Sequence, residues 1–195
     1  MIGKVYSAAV TGIYAVPVEV QADVTPGIPY FELTGNLAGT TKEAKERVRI
    51  AIKNSKFQIN PSKITINMIP ANIRKEGTAY DLAVAVAVLT AVGVIAAKKV
   101  SGALFIGELG LDGGICNVSS ILPMTLCARD NGFTICYVPM GNIGEASLVT
   151  GIRVIGISSL RECVDYINNG CNCRAHVDNN IDNAADNNID FADIR

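Results

Sequence analysis

One segment of this chain, residues 82–89, limits the possible folds more than any other. It reads Leu-Ala-Val-Ala-Val-Ala-Val-Leu and has no polar position with which a surface helix could face water. Asp81 stands directly before it, where an N-cap acceptor is expected. We therefore predict a helix after Asp81 that is buried on nearly all sides, at the core of the domain.

A strand and a charged turn precede this helix. Ile64, Ile66 and Met68 recur with a period of two, which predicts a strand that ends at Pro70. The turn that follows, residues 74–78, reads Arg-Lys-Glu-Gly-Thr. Free N–H groups and the dipole at a helix start favour anions, so the turn is a candidate binding site. The alternative, a solvated connection, is the more common use of such loops.

The rest of the chain alternates strand and helix patterns, as in an α+β or α/β domain. Apolar strands are predicted at residues 1–10 and 14–24, joined by a hairpin at Thr11-Gly12. A helix over residues 40–55 is expected to be capped by one of its first two threonines. Further strands are predicted at 30–34, 103–107, 135–138 and 154–157, and further helices at 118–130, from Glu145 and at 160–168.

Length and composition predict a single domain with a polar tail. The chain has 195 residues, 49% of them hydrophobic, which suits one core of ordinary size. Residues 1–168 are predicted to form this domain, and residues 169–195, rich in Asn, Asp and Ala, a linker. The formal charge of −1 gives no global sign of nucleic-acid affinity. No apolar run reaches the roughly 18 residues of a membrane helix, so we expect a soluble, cytoplasmic protein.

A family resemblance becomes specific in residues 63–77, Lys-Ile-Thr-Ile-Asn-Met-Ile-Pro-Ala-Asn-Ile-Arg-Lys-Glu-Gly, followed by Tyr80-Asp81-Leu82. This segment closely resembles the signature of the amino-terminal domain of magnesium-chelatase-like AAA+ ATPases, the ComM/YifB competence family. Residues 39–55 and the Gly-Glu-Leu-Gly-Leu-Asp-Gly of residues 107–113 are similar to that family's first helix and hairpin. The similarity covers most of residues 1–168.

The resemblance implies a fold and a cellular role. The implied fold is α+β, of the Lon-protease-like and ribosomal protein S5 domain 2-like type, with a mixed sheet packed with helices. The implied role is the front domain of an ATP-driven ring, a hexamer, that acts on DNA in branch migration and recombination during natural transformation. Expected partners are the protein's own AAA+ module, neighbouring subunits and single- or double-stranded DNA, with no membrane.

Residues 189–195 resemble the segment that precedes the AAA+ module in these ATPases. ATP and Mg²⁺ are therefore expected to bind in that module. The present sequence contains no Gly-x-x-x-x-Gly-Lys-Ser/Thr, the motif that holds a triphosphate, so we expect no cofactor within residues 1–195.

Peptidases of the Lon type use a serine nucleophile and a lysine that activates it. The resemblance places Ala79 on the serine and Leu122 on the lysine, so hydrocarbon replaces both reactive groups. It therefore implies a non-catalytic binding or assembly domain. The alternative is a hydrolase with a displaced nucleophile, Ser119 or Ser120 with Lys75, although helix capping explains these serines more simply.

Two groups of basic residues are candidates for contact with DNA or another subunit. The first lies on one face of the predicted helix over residues 40–55, at about 100° per residue. Such a stripe could neutralise phosphates without sequence preference, but Glu46 within the same face and Glu43 beside it favour a mixed, solvated surface. The first group is Lys42, Lys45, Arg49 and Lys53, and the second is Arg47, Arg74, Lys75 and Glu76.

Six cysteines raise the question of disulfides and metal binding. Cys116, Cys127 and Cys136 fall in predicted hairpin, helix and strand segments, where reduced cysteine acts as a small core residue. The other three and the single histidine have the ligand types of zinc, but a Cys-x-Cys pair places two sulfurs poorly around a tetrahedral ion. We predict no metal; the weak candidate ligands are Cys163, Cys171, Cys173 and His176.

Overall fold

The computed structural model describes residues 2–170 and the backbone of residues 176–177. Within these residues the strands are β1 (Ile2–Thr11), β2 (Tyr14–Pro26), β3 (Tyr30–Thr34), β4 (Ser62–Ile69), β5 (Ala103–Phe105), β6 (Glu108–Leu109), β7 (Ile115–Cys116), β8 (Ile135–Pro139), β9 (Arg153–Ile157) and β10 (His176–Val177). The helices are α1 (Gly39–Lys42), α2 (Ala44–Asn54), α3 (Asp81–Ala91), α4 (Ile121–Asp130), α5 (Ile143–Ala146) and α6 (Leu160–Asn169).

Most strands form one mixed sheet in the order β10-β9-β8-β5-β1-β2-β4-β3. On one side of β1, the strands β5, β8 and β9 follow in parallel. On the other side, β2 runs antiparallel to both β1 and β4, and β3 is parallel to β4. β6 and β7 form a separate hairpin. This architecture is compatible with the α+β, Lon-like and S5 domain 2-like class predicted from the sequence.

Helix α3 is the centre of the larger core, as its composition predicts. Every residue from Asp81 to Ala91 is buried. The helix lies so close to β1 that a Cβ atom on Gly3 would stand 2.1 Å from the carbonyl oxygen of Ala87. Glycine on the strand therefore permits the approach, because any side chain at that position would overlap the helix backbone.

Helices pack against both faces of the sheet and divide the apolar interior in two. Residues of α2, α3 and α6 belong to one cluster, and residues of α4 and α5 to the other. Successive residues of β5 point to opposite sides, so Phe105 joins the first cluster and Leu104 the second. The single core predicted from composition is thus two layers separated by the sheet.

The strand predictions are confirmed, and several helix starts are wrong. Ile64, Ile66 and Met68 are buried on β4, which ends before Pro70. The helix expected over residues 40–55 is interrupted at Glu43, and no side chain caps α1 or α2.

Two later helices also begin elsewhere than predicted. α4 begins at Ile121 because Ser120 has a left-handed backbone, with φ of 61°, and its hydroxyl does not cap the helix. α5 begins at Ile143, before Glu145. Sequence patterns locate helices better than they locate helix ends, because the backbone angle of one residue can delay a start.

The cysteine predictions have mixed outcomes. Cys127 and Cys136 are buried free thiols, as expected, but Cys116 is exposed on β7, so its assignment to the core is wrong. Cys163 is a buried residue of α6. Cys171, Cys173, the side chain of His176 and most of the predicted linker 169–195 lie outside the described residues. In the described part of the chain, no helix combines the length and apolar character needed to cross a bilayer.

Candidate functional site

The two positions that the resemblance aligns with the peptidase dyad, Ala79 and Leu122, contribute to the same apolar cluster. Ala79 precedes α3, Leu122 lies in the first turn of α4, and both pack in the layer on the α4 side of the sheet. Ala79 is 8% exposed. Among its cluster neighbours are Ala8, Ile106 and Ile121. The side chains of alanine and leucine can neither attack a carbonyl nor accept a proton, and what the structure shows at both positions is packing.

Hydrogen bonds hold the turn around Ala79 against the end of β5. The Gly107 N–H donates to the Ala79 carbonyl, and the Leu82 N–H donates to the Gly107 carbonyl, both at 3.0 Å. The Thr78 hydroxyl donates to the carboxylate of Glu108 across the same junction. The methyl group of Ala79 is therefore a fixed part of the core.

Lys75 is a buried structural cation. Its side chain is fully buried, and Nζ donates to the carbonyl of Gly35 at 2.8 Å and to that of Pro70. Burial lowers the pKa of this ammonium group. The side chain links the loop before α1 to the loop before α3. Because no charge is left at the surface, the structure contradicts the prediction that Lys75 contacts DNA or a subunit.

Arg47 and Asp81 form an ion pair that links α2 to α3. Arg47 donates Nε and Nη2 to the two carboxylate oxygens of Asp81 at 2.7 and 3.0 Å, and the Leu109 N–H adds a bond at 3.3 Å. Asp81 is fully buried; burial raises its pKa, and Arg47 opposes the shift. Asp81 is thus the first helical residue and an ion-pair partner, and the prediction that it caps α3 is wrong. Arg47 is engaged in this pair with its side chain 19% exposed, and its predicted contact with DNA or another subunit stays a prediction.

The basic stripe predicted on the first helix lies at the surface. Lys42, Lys45, Arg49 and Lys53 are all exposed. Arg49 pairs with Glu46 at 2.8 Å, whereas the three lysines have no ion pair among the described residues. The stripe is therefore a mixed surface with three unpaired positive charges, one on α1 and two on α2.

The second basic group and the displaced dyad are not assembled. Arg74 and Glu76 are exposed and pair with each other at 2.8 Å. Ser119 and Ser120 are exposed in the loop before α4, whereas the Nζ of Lys75 bonds to carbonyls of other loops. The structure does not bring this lysine to either serine.

A cleft at the end of the β1–β2 hairpin was not predicted from the sequence. The cleft has a volume of about 430 Å³ and lies between the hairpin, at Val10 and Val16, and the loop after β4, at Ile73. Beside it, Ile13 and Tyr14 are 80% and 73% exposed. Two large apolar residues directly after a predicted turn glycine were the signal that could have indicated this surface.

Comparison with known proteins places this chain among DNA-related relatives. The family model for subunit ChlI of magnesium chelatase matches residues 20–142. An uncharacterized protein of Mycobacterium tuberculosis is 33% identical over 193 residues, 99% of this chain and 38% of the relative. Competence protein ComM of Haemophilus influenzae is 33% identical over 164 residues, 84% of this chain and 32% of the relative. DNA repair protein RadA of Listeria monocytogenes is 27% identical over 173 residues, 83% of this chain and 35% of the relative.

The sheet order and the helices on both faces define a domain compatible with the α+β, Lon-like fold. The chain belongs to the ChlI family of magnesium-chelatase subunits. The resemblance identified in residues 63–82 is thereby confirmed. The chain spans less than two fifths of the length of these relatives.

Proposed function

We propose that this domain is a non-catalytic N-terminal binding and assembly domain of a magnesium-chelatase-like AAA+ ATPase that processes DNA. The observation that carries the proposal is the packing of Ala79 and Leu122 in one apolar cluster, where a peptidase needs a nucleophile and a base. In the whole protein, ATP and Mg²⁺ are proposed to bind in an AAA+ module, as the family resemblance implies. The module drives branch migration and recombination during natural transformation.

The names of two relatives support the DNA part of this proposal. ComM is a competence protein and RadA is a DNA repair protein. Each matches more than four fifths of the present chain. The proposed partners are DNA, the AAA+ module and neighbouring subunits of a hexamer.

The DNA contact is assigned to Lys42, Lys45 and Lys53, the exposed and unpaired lysines of the stripe. Lysine neutralises phosphates as a point charge, so the binding is independent of sequence and sensitive to salt. The neighbouring Arg49 contributes less because Glu46 already offsets its charge. Three phosphate contacts predict weak binding by the isolated domain, strengthened when several domains act together.

A salt titration of duplex DNA binding tests this assignment. Fluorescence anisotropy gives the slope of log K against log salt for the wild type and for Lys45→Ala/Lys53→Ala. Loss of two phosphate contacts reduces the magnitude of the slope by about 1.8. Arg74→Ala is the matched control, because its charge is already paired with Glu76. An unchanged slope in the double variant contradicts DNA contact and reassigns the stripe to a subunit contact.

The competing function is hydrolysis with a displaced nucleophile. Its specific support is Ser120, an exposed hydroxyl on a left-handed backbone, a conformation that is costly outside glycine. Incubation with an unstructured protein substrate and a fluorophosphonate probe distinguishes the two functions. We expect neither turnover nor labelling. Specific turnover that disappears in Ser119→Ala or Ser120→Ala would overturn the non-catalytic assignment.

A further inference from the structure

The basic stripe of α1 and α2 leads to an aromatic ring just beyond the end of α2. From Lys45 to Lys53 the stripe runs about 12 Å along the helix. Lys56 follows with a left-handed backbone, φ of 64°, and is exposed. The next residue, Phe57, is half-buried, and its N–H donates to the Ile52 carbonyl at 3.2 Å. The ring therefore lies at the C-terminal end of the stripe.

A third helix places a cation over this ring. Arg161 lies in the first turn of α6, and the central carbon of its guanidinium group is 4.3 Å from the centroid of the Phe57 ring. A cation at this distance is attracted by the electrons of the ring. Phe57 packs against the larger core, whereas Arg161 is exposed. The guanidinium group is thus held at a defined place and stays accessible from solvent.

The surface around the ring has a net positive charge. Three exposed cations without an ion pair in the described part of the chain meet here: Lys53, Lys56 and Arg161. Two carboxylates of adjoining turns offset part of their charge. Glu162 accepts a hydrogen bond from the Ser158 N–H at 2.7 Å, and Asp112 accepts one from the Gly114 N–H at 2.9 Å. Both carboxylates are thereby held at their own turns, and the surface can attract a phosphate.

A positive track that ends in a planar group suits single-stranded nucleic acid. Proteins that bind single strands combine cations for the phosphates with flat groups on which bases stack, and arginine guanidinium planes serve this purpose as aromatic rings do. The bases of a duplex are stacked on their neighbours, so only unpaired bases can reach a guanidinium group at a surface. The lysines of the stripe, by contrast, can contact the phosphates of either form.

We propose that DNA lies along the stripe as a single strand and that one of its bases stacks on the guanidinium group of Arg161. Phe57 is a positioning residue, because it holds Arg161 without contacting the base. The inference rests on the proposed DNA contact of the stripe and names the form of DNA that this surface prefers.

Fluorescence anisotropy with two single strands of equal length tests the inference. One is an oligothymidylate of about 16 nucleotides and the other an abasic strand, which has the same phosphates and no bases. A duplex is a poorer comparison because its charge density differs from that of a single strand. One stacked base makes wild-type binding to the oligothymidylate about tenfold tighter than binding to the abasic strand. Equal affinity for the two strands overturns the inference.

Arg161→Lys separates stacking from charge. Lysine keeps the positive charge but has no planar group. The variant therefore loses the preference for the oligothymidylate, while the salt dependence of its binding to the abasic strand stays that of the wild type. Arg129→Lys is the matched control, because Arg129 is exposed on α4, at the other face of the sheet, and should keep the tenfold preference. An undiminished preference in Arg161→Lys overturns the inference.

Phe57→Leu tests the positioning role of the ring. Leucine keeps an apolar side chain against the core but cannot hold the guanidinium group, so the preference for the oligothymidylate falls, and circular dichroism verifies the fold. An unchanged preference in this folded variant contradicts the role of Phe57. A wild type that binds neither strand contradicts the proposed DNA contact itself, whereas equal binding to both overturns only the stacking. The two failures are therefore distinguishable.

Discussion

Two buried hydroxyl groups in this domain have opposite surroundings. The Ser7 Oγ on β1 is buried and has no hydrogen-bond partner among the residues that the structure describes. The Thr41 Oγ lies 3.0 Å from the carbonyl of Lys75 and 2.9 Å from that of Gly77. An unsatisfied buried hydroxyl costs stability, whereas a satisfied one contributes to it. Removing each hydroxyl should therefore change stability in opposite directions.

Ser7→Ala is expected to raise the free energy of unfolding by about 1 kcal/mol, because it removes a polar atom that lost its water without gaining a partner. Thr41→Val is expected to lower it by about 1–2 kcal/mol, since it removes a bonded hydroxyl of similar shape. Urea denaturation of both variants measures these changes. A destabilised Ser7→Ala variant would show that its hydroxyl has a partner in solution.

Thiol reactivity should differ strongly between the cysteines. Burial raises the pKa of Cys127 to about 11 and that of Cys136 to about 12. Because the thiolate is the nucleophile, both residues are expected to be inert toward iodoacetamide at neutral pH, whereas exposed Cys116 reacts. Peptide mass mapping after alkylation, in buffer and in urea, assigns each modification. Fast alkylation of Cys127 in the folded protein would refute the expected burial effect.

At the scale of elements, one ion pair links two helices. Arg47→Leu is expected to destabilise the domain by about 3–5 kcal/mol at neutral pH, because the carboxylate of Asp81 stays buried without its counter-charge. Arg49→Leu, on the same helix, removes an exposed pair with Glu46 and should cost less than about 1 kcal/mol. Thermal or urea unfolding of the two variants gives the comparison. Equal losses of stability would contradict a larger contribution from the Arg47–Asp81 pair than from the Arg49–Glu46 pair.

The loss in Arg47→Leu should also depend on pH. Burial raises the pKa of Asp81, so the folded state binds a proton more readily than the unfolded state. Stability therefore rises as the pH falls from the folded pKa toward the ordinary value near 3.8. Loss of Arg47 removes the group that lowers this pKa, so we expect the deficit of the variant to shrink as the pH falls from neutral toward 3.8, measured by urea titrations at each pH.

The close approach of α3 to β1 requires glycine, which has no side chain, at position 3. Gly3→Ala is expected to destabilise the domain by about 3 kcal/mol or more, since the new Cβ would stand 2.1 Å from the Ala87 carbonyl oxygen and 2.8 Å from the Ala91 nitrogen. Gly144→Ala is the control, because it meets open space on α5 and should change stability by less than about 1 kcal/mol. Chemical denaturation of both variants tests the crossing.

At the scale of the whole molecule, stability should fall from the core to the tip of the β1–β2 hairpin, residues 11–14. The amides of α3 are buried between sheet and helices and are expected to exchange with deuterium only on global unfolding. The hairpin tip is exposed and pairs with no other strand in the described residues, so its amides, including that of Ile13, should exchange first. Hydrogen exchange by mass spectrometry tests this order. Equal protection of the hairpin tip and of α3 would contradict it.

Much of the fold follows from local sequence patterns. The period of two at Ile64, Ile66 and Met68 and the apolar run of residues 82–89 each have one physical solution, a half-buried strand and a buried helix. Helix ends were less predictable. The start of α4 depends on the left-handed backbone of Ser120, and the break between α1 and α2 falls at Glu43, which no pattern indicates.

The candidate site was likewise predictable from the sequence only in part. The absence of nucleophilic or basic chemistry at Ala79 and Leu122 follows from the residue types alone, because alanine and leucine side chains have no group that can do it. Whether a charged residue is exposed or buried does not follow from its residue type. Lysine and arginine usually lie at the surface. Lys75 and Arg47 instead bond to groups inside the domain, and these partners are adjacent only in the folded structure.

By itself, the sequence determined the period of each element, the apolar character of the dyad positions and the family. These depend on residue type and on neighbours within a few positions of the chain. The tertiary structure alone decided which charged side chains remain in water and where the β1–β2 hairpin extends past the neighbouring strands. Both depend on segments far apart in sequence, since Gly35 meets Lys75 and Arg47 meets Asp81 only after the sheet and helices have packed.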